Sequence, residues 1–390
     1  MNKKVTIALA TSTLVASGSA LAQSSVTLYG VIDTGILYMN NASQHDSLVE
    51  MKTSTQGNRW GVRGEEDLGD GLKALFTLEN GFNSGTGKFN QGGREFGRGA
   101  FVGLSSNTWG TVKLGRQNEP LTDMVSGLTA DAYFASSMGT PGDVDNYDLS
   151  GRVSNAVKYV SPSYAGLRFE GLYAFGNNAG TAGQGQTWSA AMSYGNGPLA
   201  FAAGYLYATN PSAGRSASTA SNWGSTASLD NFFDGPINTG YTTASAIAMA
   251  RLAARYQTGA YEIGVSYSNA QYKHDGYSLF HTTQRYDVGS GYFKYSLNPV
   301  IQLGLGYSYE RASGDTGATY HQVGVAADYI FSKRTDVYLL GAYQHASGTQ
   351  AVYNSAGQLV RQTAQASIGS LGFAGTSTQE LVLLSLRHKF

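Results

Sequence analysis

The chain has no cysteine, few prolines and a small share of charged residues. The absence of cysteine excludes disulfides, thiolate catalysis and cysteine-ligated metal sites. Charged residues make up 13% of the 390 residues, which is about half of their share in ordinary soluble proteins. Lys plus Arg and Asp plus Glu number 26 each, so the chain is neutral and its charge predicts no nucleic-acid partner.

The common motifs of catalysis and cofactor binding are also missing. G-x-S-x-G, H-E-x-x-H and a complete P-loop do not occur, so no catalytic residue, metal ligand or cofactor is predicted. The stretch DVDNYD from Asp143 begins like a calcium loop, but Tyr147 and Ser154 stand where two ligands are needed. Calcium bound in this loop stays an alternative.

The first 22 residues have the features of a cleaved signal peptide. Lys3 and Lys4 supply a positive start, residues 5–15 are mostly apolar, and Ala20-Leu21-Ala22 matches an A-x-A cleavage site. An uncleaved membrane anchor is disfavoured because the apolar run is too short to span a bilayer. We therefore expect an exported protein in which residues 23–390 form a single domain.

The dominant pattern in the rest of the chain is an alternation with a period of two. In VGVAADYIF from Val323, the apolar residues at 323, 325, 327, 329 and 331 alternate with small or polar ones. The same holds for YEIGVSYSN from Tyr261 and IQLGLGYSYE from Ile301. In LVLLSLRHKF from Leu381, one face carries Val382, Leu384, Leu386, His388 and Phe390. Runs of about 10 residues with this period are typical of tilted strands that cross a bilayer.

Sixteen strands of this type can be distinguished. They lie near residues 25–38, 55–66, 72–80, 94–105, 111–117, 152–161, 167–175, 186–194, 199–207, 247–256, 261–272, 286–297, 300–310, 321–331, 336–345 and 379–390. The connections alternate between short turns, such as SKRT from Ser332, and long excursions, such as 209–246 and 346–378. Short turns at one rim and long loops at the other are the plan of an outer-membrane barrel.

Strands with one apolar face fit either a soluble sandwich or a membrane barrel. The signal peptide and the loop asymmetry favour the barrel, and Tyr329 and Phe331, just before the turn at Ser332, fit an aromatic girdle. In hydrocarbon an unpaired backbone group costs several kcal/mol, so the sheet must close on itself. Sixteen strands enclose a lumen too wide for side chains to fill. The sequence therefore predicts an all-β protein, a 16-stranded antiparallel transmembrane β-barrel with a wet lumen.

Several motifs are similar to those of a known family. They are SVTLYGVIDTGI from Ser25, NRWGVRGEEDLGDGLKALFTLENGF from Asn58, FVGLSSNTWGTVKLGRQ from Phe101, GRVSNAVKYVSPSYAGL from Gly151, FSKRTDVY from Phe331 and the terminal LRHKF. Together they resemble the trimeric general-diffusion porins of Gram-negative bacteria, especially the betaproteobacterial branch, over the whole mature chain. The resemblance implies a homotrimer in the outer membrane, with short turns and both termini periplasmic and long loops extracellular.

The resemblance also implies a constriction, because in this family the third long loop folds into the lumen. Here that loop is 118–150. Its later carboxylates, at 143, 145 and 148, are assigned to ordinary loop contacts. The expected constriction consists of Glu119, Asp123 and Asp131 on the loop and of Arg59, Arg63, Arg98 and Arg152 on the facing wall, with Lys113 and Arg116 as second-tier candidates.

Side chains along a strand alternate between inward and outward positions, and this parity supports part of the set. Trp60 and Val62 are expected to face lipid, so Arg59 and Arg63 point inward. Parity places Arg98 with the apolar residues of its strand, so its direction stays open. Opposed charges across a wet constriction create a transverse field that favours dipolar solutes over apolar ones.

The C-terminal strand is expected to carry a targeting role as well. Phe390 and Leu386 share its apolar face and resemble the signal read by the outer-membrane assembly machinery. Simple closure of the barrel against the first strand is the alternative, and both can hold. His388 stands where an aromatic residue is commoner in the family.

These features predict a channel for passive diffusion of ions and small hydrophilic solutes, and not an enzyme. The expected partners are further copies of the chain, outer-membrane lipid and lipopolysaccharide, and the assembly machinery. The alternative is a barrel whose long loops act mainly in surface binding, as in an adhesin, or in hydrolysis at a site assembled from distant strands.

Overall fold

Most regular elements of the described residues are β-strands. A computed structural model describes residues 24–390 apart from 44, 54–55, 135–138, 178, 181–182, 212–222, 224–228, 231, 234, 370–371 and 373–374, so the predicted signal peptide lies outside the described residues. The strands are β1 (Ser25–Ser43), β2 (Asp46–Thr53), β3 (Arg59–Gly69), β4 (Leu72–Gly81), β5 (Gly99–Ser106), β6 (Gly110–Gln117), β7 (Arg152–Val160), β8 (Leu167–Ala174), β9 (Thr187–Asn196), β10 (Leu199–Thr209), β11 (Leu229–Asp230), β12 (Ala246–Thr258), β13 (Tyr261–Lys273), β14 (Gln284–Asn298), β15 (Ile301–Ser313), β16 (Ala318–Ile330), β17 (Thr335–Tyr353), β18 (Leu359–Thr363) and β19 (Thr378–Lys389).

Sixteen of these strands form one closed antiparallel barrel, which confirms the predicted fold class. The exceptions are β2, β11 and β18, which belong to loops. Every other strand pairs with the next barrel strand along the chain, and β19 pairs with β1 to close the ring. Closure leaves no sheet edge, which is the condition for placing strands in hydrocarbon.

The predicted alternation is visible on the wall formed by β15, β16 and β17. On its outer surface, Leu305 lies beside Val325 and both are about half exposed, whereas the inward-facing Gln322 is buried. Exposed Tyr329 lies at the short-turn rim of this surface and exposed Tyr307 lies toward the long-loop rim. The outer surface is thus an apolar band bounded by aromatic residues, as a bilayer requires.

The chain termini close the barrel through a contact between Gly30 and Phe390. Each donates its backbone N–H to the other's carbonyl oxygen, at 3.0 and 3.1 Å. A Cβ at position 30 would overlap the Phe390 ring, so glycine allows the terminal aromatic ring to lie flat against β1. Leu386 faces outward on the same strand and is half exposed. The assembly role of both residues stays a prediction.

Strand boundaries differ from the prediction where strands leave the apolar band. β5 begins at Gly99 rather than near residue 94, because the preceding segment forms a loop with a short 3-10 turn at Gln91–Gly93. β17 continues to Tyr353 and forms a hairpin with β18. Residues beyond the hydrocarbon need no alternation, so the sequence pattern gives no signal for these extensions.

The barrel wall is low on one side and tall on the other. β5 to β8 contain 8 or 9 residues each. β14 to β17 contain 13 to 19. At about 3.4 Å per residue along a tilted strand, the tall wall rises beyond the apolar band of a membrane, whereas the low wall is no taller than that band.

Two long connections enter the lumen. We call 118–151 the inner loop and 210–245 the crossing loop. The inner loop carries the short helices α1 (Pro120–Met124) and α2 (Asp131–Phe134). The described part of the crossing loop reaches β7, where Leu229 pairs with Val153. Among the described residues, no helix is both long enough and apolar enough to cross a membrane.

The two loops form an aromatic core in the long-loop half of the barrel. Tyr241 and Ile237 of the crossing loop pack against Tyr272 of β13, Tyr286 of β14 and Phe280 of the connection between these strands. The Tyr286 hydroxyl donates to the Ile237 carbonyl at 3.1 Å. This part of the lumen is therefore filled, and the cavities described below lie on the side of β1, β3 and β4.

Replacing Phe390 by alanine should weaken barrel closure. The half-exposed ring loses its contact with Gly30, and we expect a loss of about 1 kcal/mol. The measurement is the fraction of heat-modifiable, folded barrel on a gel as temperature rises. Phe331→Ala, which removes an equally large aromatic ring at the same rim, is the matched control. Equal melting of the two variants would contradict a special role for Phe390.

Candidate pore constriction

The inner loop enters the lumen through helix α1. Glu119 is the N-cap of this helix, and its carboxylate accepts hydrogen bonds from the backbone N–H groups of Leu121 and Thr122. The Thr122 hydroxyl donates to the same carboxylate at 2.7 Å. Beyond the helix, Val125 packs in an apolar cluster with Ala202 of the wall. The cap and this cluster hold the start of the loop against β9 and β10.

The far part of the inner loop is held by the wall of β12 and β13. Asp145 accepts hydrogen bonds from the hydroxyls of Thr140, at 2.6 Å, and of Ser268. The guanidinium carbon of Arg251 lies 4.6 Å from the centre of the Tyr147 ring, which is a cation–π contact. The loop is thereby kept on one side of the lumen.

The facing wall carries two arginines on the open side. Arg59 donates to the carbonyl oxygen of Gln56 at 2.7 Å. Arg98 donates through Nε to the Glu79 carboxylate at 2.7 Å, and the Tyr29 hydroxyl donates to the same carboxylate at 2.9 Å. Arg98 precedes the first residue of β5, so the strand's parity does not apply to it and its side chain turns inward.

A cavity of about 240 Å³ separates this wall from the inner loop. Its charged lining is Arg59 and Arg98 on one side and Asp131 and Asp148 on the other. The two carboxyl groups are hydrogen bonded to each other, and burial together with the Asp148 charge holds the pKa of Asp131 well above its usual range. The pair therefore holds a proton more readily than two separate carboxylates would.

A second set of the predicted residues lies nearer the short-turn rim. Asp123 forms an ion pair with Lys158. The Lys113 ammonium lies 5.1 Å from the centre of the Phe101 ring. The structure brings Asp123 and Lys113 into the lumen but not into the 240 Å³ cavity.

Arg63 also lies nearer the short-turn rim than the 240 Å³ cavity does. It is exposed, four residues below Arg59 on β3, and its guanidinium carbon is 5.3 Å from the Tyr29 ring centre. A wider cavity of about 440 Å³ contains Arg63 and Lys113. Together with Arg59 and Arg98 these cations form a column along one side of the passage.

Two predicted residues do not reach the passage. The Glu119 side chain is buried as the helix cap described above. Arg152 is buried at the base of the inner loop, where its guanidinium donates to the carbonyl oxygens of Leu149 and, at 2.7 Å, Gly151. Both charged side chains form hydrogen bonds with nearby backbone groups, and such local contacts cannot be read from the inward or outward position of a residue on a strand. Their placement at the constriction is therefore corrected.

Arg116 joins the crossing loop to the wall. Its guanidinium makes two parallel hydrogen bonds to the Asp230 carboxylate, at 2.7 and 2.9 Å, and Arg94 lies 3.2 Å from the same carboxylate. Such bidentate pairs are among the stronger side-chain contacts. Arg116 therefore anchors a loop and does not line the constriction cavity.

Sequence reasoning missed Glu79 and Asp230, and it assigned Asp148, which lines the cavity, to ordinary loop contacts. Parity could have found Glu79, because Phe76 and Leu78 are the outward residues of β4 and Glu79 therefore points inward. Asp230 gave no signal, since its partner Arg116 is 114 positions away and no strand pattern relates them.

The calcium-like stretch is engaged in hydrogen bonds of the loop. Asp143 accepts the backbone N–H of Asp148 at 2.9 Å, and Asp145 accepts the two hydroxyls already described. Among the residues that the structure describes, no group of three or more His, Asp or Glu side chains could hold a metal ion.

Comparison with known proteins identifies the family. A family model described as Gram-negative porin matches residues 6–349. The chain belongs to the Gram-negative porin family. This confirms the resemblance predicted from its motifs, and it places the porin in the outer membrane of a Gram-negative bacterium.

Individual relatives agree with this assignment. An outer membrane porin protein of Bordetella pertussis is 37% identical over 216 residues, which is 48% of this chain and 55% of the relative. Outer membrane porin protein 32 of Delftia acidovorans is 38% identical, over 52% of this chain and 59% of the relative. The chain thus spans a little over half the length of these two. Major outer membrane protein P.IB of Neisseria gonorrhoeae is 26% identical over 92% of this chain and 98% of the relative.

Solved structures share the fold. The anion-selective porin from Comamonas acidovorans has a TM-score of 0.71 and 24% identity, over 94% of this chain and 100% of that one. An outer membrane protein of Vibrio cholerae described as OmpT in its trimer form has a TM-score of 0.61 and 17% identity, over 94% and 99%.

Replacing Glu119 by alanine should loosen the inner loop without changing ion preference. The cap contributes about 1 kcal/mol, and its carboxylate does not line the cavity. We expect noisier single-channel currents with an unchanged reversal potential in a salt gradient. Glu119→Asp keeps a carboxylate acceptor on a shorter side chain, so its current noise should lie between that of wild type and that of Glu119→Ala. A shifted reversal potential at normal noise would instead place Glu119 at the constriction.

Proposed function

We propose that the porin forms a water-filled channel for passive diffusion of ions and small hydrophilic solutes across the outer membrane. The observation that carries this proposal is the cavity beside the inner loop, lined by Arg59 and Arg98 on the wall and by Asp131 and Asp148 on the loop. It lies on the side of the lumen that the aromatic core leaves open.

The inner loop sets both the size limit and the field of this passage. The side chains that narrow it are held by hydrogen bonds and ion pairs, so they do not have to be ordered when a solute enters. Cations on one wall and carboxyl groups on the other orient water and polar solutes across the passage. Because the two carboxyl groups retain a proton readily, the arginines dominate and the preference should be for anions.

No enzymatic activity is part of this proposal, since the family consists of channels. The alternative, a barrel that acts mainly by surface binding or hydrolysis, is not favoured by the comparisons. Conductance separates the two. Discrete ohmic steps from purified protein in a planar bilayer support the channel, whereas a sealed barrel supports the alternative.

Replacing Arg59 and Arg98 by glutamine should shift the channel toward cations. A unit charge a few ångströms from an ion contributes about 1 kcal/mol in water, so we expect the anion-to-cation permeability ratio to fall about fivefold or more. Asp131→Asn should give a smaller shift in the opposite direction, toward anions, because the raised pKa of Asp131 means that little negative charge is removed. The measurement is the reversal potential in a salt gradient.

The control for this experiment is Lys333→Gln with Arg334→Gln. It removes the same charge from the exposed short turn after β16, away from the cavity. An effect of the control as large as that of the Arg59 and Arg98 variant would show that net charge, rather than the constriction, sets selectivity.

We further propose that the porin forms a homotrimer through the outer face of β3 to β6, which includes the first two strands of the low wall. On β3 to β6 the outward residues are mostly aliphatic, as in Val102, Leu104 and Leu114, and exposed tyrosines are absent from the described residues of these four strands. The tall wall instead carries exposed tyrosines, such as Tyr307 and Tyr343, that suit a lipid interface. A smooth aliphatic face is suited to packing against a second copy.

The proposed environment supplies the remaining partners. Lipid and lipopolysaccharide of the outer membrane would surround the apolar band of the tall wall. The assembly machinery would recognise the terminal strand with Phe390 and Leu386, which ends in an exposed aromatic ring.

The natural absence of cysteine allows a direct test of the proposed interface. Val102→Cys on the low wall should be crosslinked between copies by a short bismaleimide in outer-membrane vesicles. Val325→Cys, a valine of similar exposure on the tall wall, should stay uncrosslinked. Crosslinking of the second variant in place of the first would reverse the assignment of the faces.

A further inference from the structure

The outer surface of the tall wall carries a polar row above its apolar band. Register pairs Arg311 of β15 with Thr319 of β16, and Thr319 with Ser347 of β17. One step lower, Tyr309 pairs with His321, and both are exposed. The change from aromatic to cationic and hydroxyl side chains marks the point where this surface leaves hydrocarbon.

The height of this row agrees with the position of lipid head groups. Arg311 lies ten residues above Ile301, which pairs with Tyr329 at the short-turn rim. Ten residues span about 34 Å along a strand, and a tilt of 35–45° reduces this to about 26 Å along the membrane normal. The apolar band of such barrels is about 25 Å tall. Arg311 therefore lies at the extracellular edge of the band.

An open cavity of about 490 Å³ is built on this row. Arg311, Thr319, Ser347 and Arg361 line it. The hydroxyls of Thr319 and Ser347 are 2.7 Å apart, so one of their two protons bridges them and the other can be donated outward. The cavity thus offers two guanidinium groups and a hydroxyl donor on one surface.

Arg361 reaches the cavity from the loop hairpin and is held in place there. It donates to the Asp315 carboxylate at 3.0 Å, and the backbone N–H of His281 donates to the same carboxylate at 2.8 Å. The Asp315 side chain is buried, whereas that of Arg361 is 54% exposed. A buried carboxylate therefore orients a guanidinium whose remaining donors face outward.

Nearby charges leave the surface positive. Arg285 of β14, which pairs with Ser313 of the cavity lining, faces outward and is exposed. Asp287, which pairs with Arg311 across the strands, accepts hydrogen bonds from the Tyr267 hydroxyl at 2.6 Å and from an asparagine amide. With Asp315 the cluster contains three cations, Arg285, Arg311 and Arg361, and two carboxylates.

We propose that this cavity binds a phosphate group of the glycolipid in the outer leaflet. Guanidinium groups bind phosphate with paired hydrogen bonds, and the cavity lies at the height of head groups. The aliphatic surface below it, with Leu305 and Val325, would contact the acyl chains of the same molecule. The occupant is a phosphorylated lipid rather than a free anion, because the cavity opens outward from the barrel and not into the passage.

This proposal rests on the outer-membrane location of the porin and not on its conductance. The two proposals can therefore fail separately. A variant that loses the lipid should keep its single-channel conductance and its reversal potential.

The test compares wild type, Arg311→Gln with Arg361→Gln, and the control Lys333→Gln with Arg334→Gln at the opposite rim of the same wall. Purified full-length porin in detergent is titrated with diphosphorylated lipid A, dephosphorylated lipid A and inorganic phosphate, and bound lipid is counted by native mass spectrometry. We expect the cavity variant to bind diphosphorylated lipid A at least about tenfold more weakly, which corresponds to about 1.4 kcal/mol. The control should bind as wild type does.

Three outcomes would overturn the proposal. They are equal binding of the phosphorylated and dephosphorylated lipids by wild type, full competition by inorganic phosphate at concentrations comparable to the lipid, and unchanged binding by the cavity variant. The comparison of the two lipids uses wild type alone, so it decides the matter even where the double variant does not assemble. Retention of the lipid by wild type against excess inorganic phosphate supports the lipid as occupant.

Discussion

The constraint on which the structure depends is the hydrogen bonding of the backbone in hydrocarbon. An unpaired N–H or C=O group there costs several kcal/mol, so a sheet in the membrane has to close. The contact of Gly30 with Phe390 completes this ring, and it needs a residue without a side chain facing the terminal ring. Because closure uses backbone hydrogen bonds, the side chains do not have to hold the sheet together. Outward side chains can therefore be apolar, as the bilayer requires, and inward ones can be polar or charged.

The second level of organisation comes from long-range polar contacts that fix the loops inside the ring. Asp230 joins the crossing loop to Arg116, and Asp145 joins the inner loop to Ser268. These contacts, with the aromatic core around Tyr241, close one side of the lumen. The passage is therefore defined as much by what fills the barrel as by the barrel itself.

The contrast between local strand alternation and long-range loop contacts explains how much of the structure the sequence predicted. The barrel and its strands follow from an alternation that is local, so residues such as Arg59 could be placed inward by counting from Trp60. Arg98 and Glu119 could not, because the first lies before its strand begins and the second caps a helix that parity does not describe. The inward path of the crossing loop was not predicted either, since its partners lie far away along the chain.

The effect of a charged residue on permeation depends on how far its own neighbours neutralise it. An ion pair that is complete within one wall, such as Arg98 with Glu79, presents a small net field to the passage, while Arg59 is bonded mainly to backbone oxygen and keeps its full charge. On the opposite side, Asp131 and Asp148 act as a pair that readily holds a proton. The field across the passage is thus set by the difference between the net charge of the cationic wall and that of the inner loop, not by the number of charged residues. A chain with equal numbers of acidic and basic residues can therefore still form a channel with a definite preference.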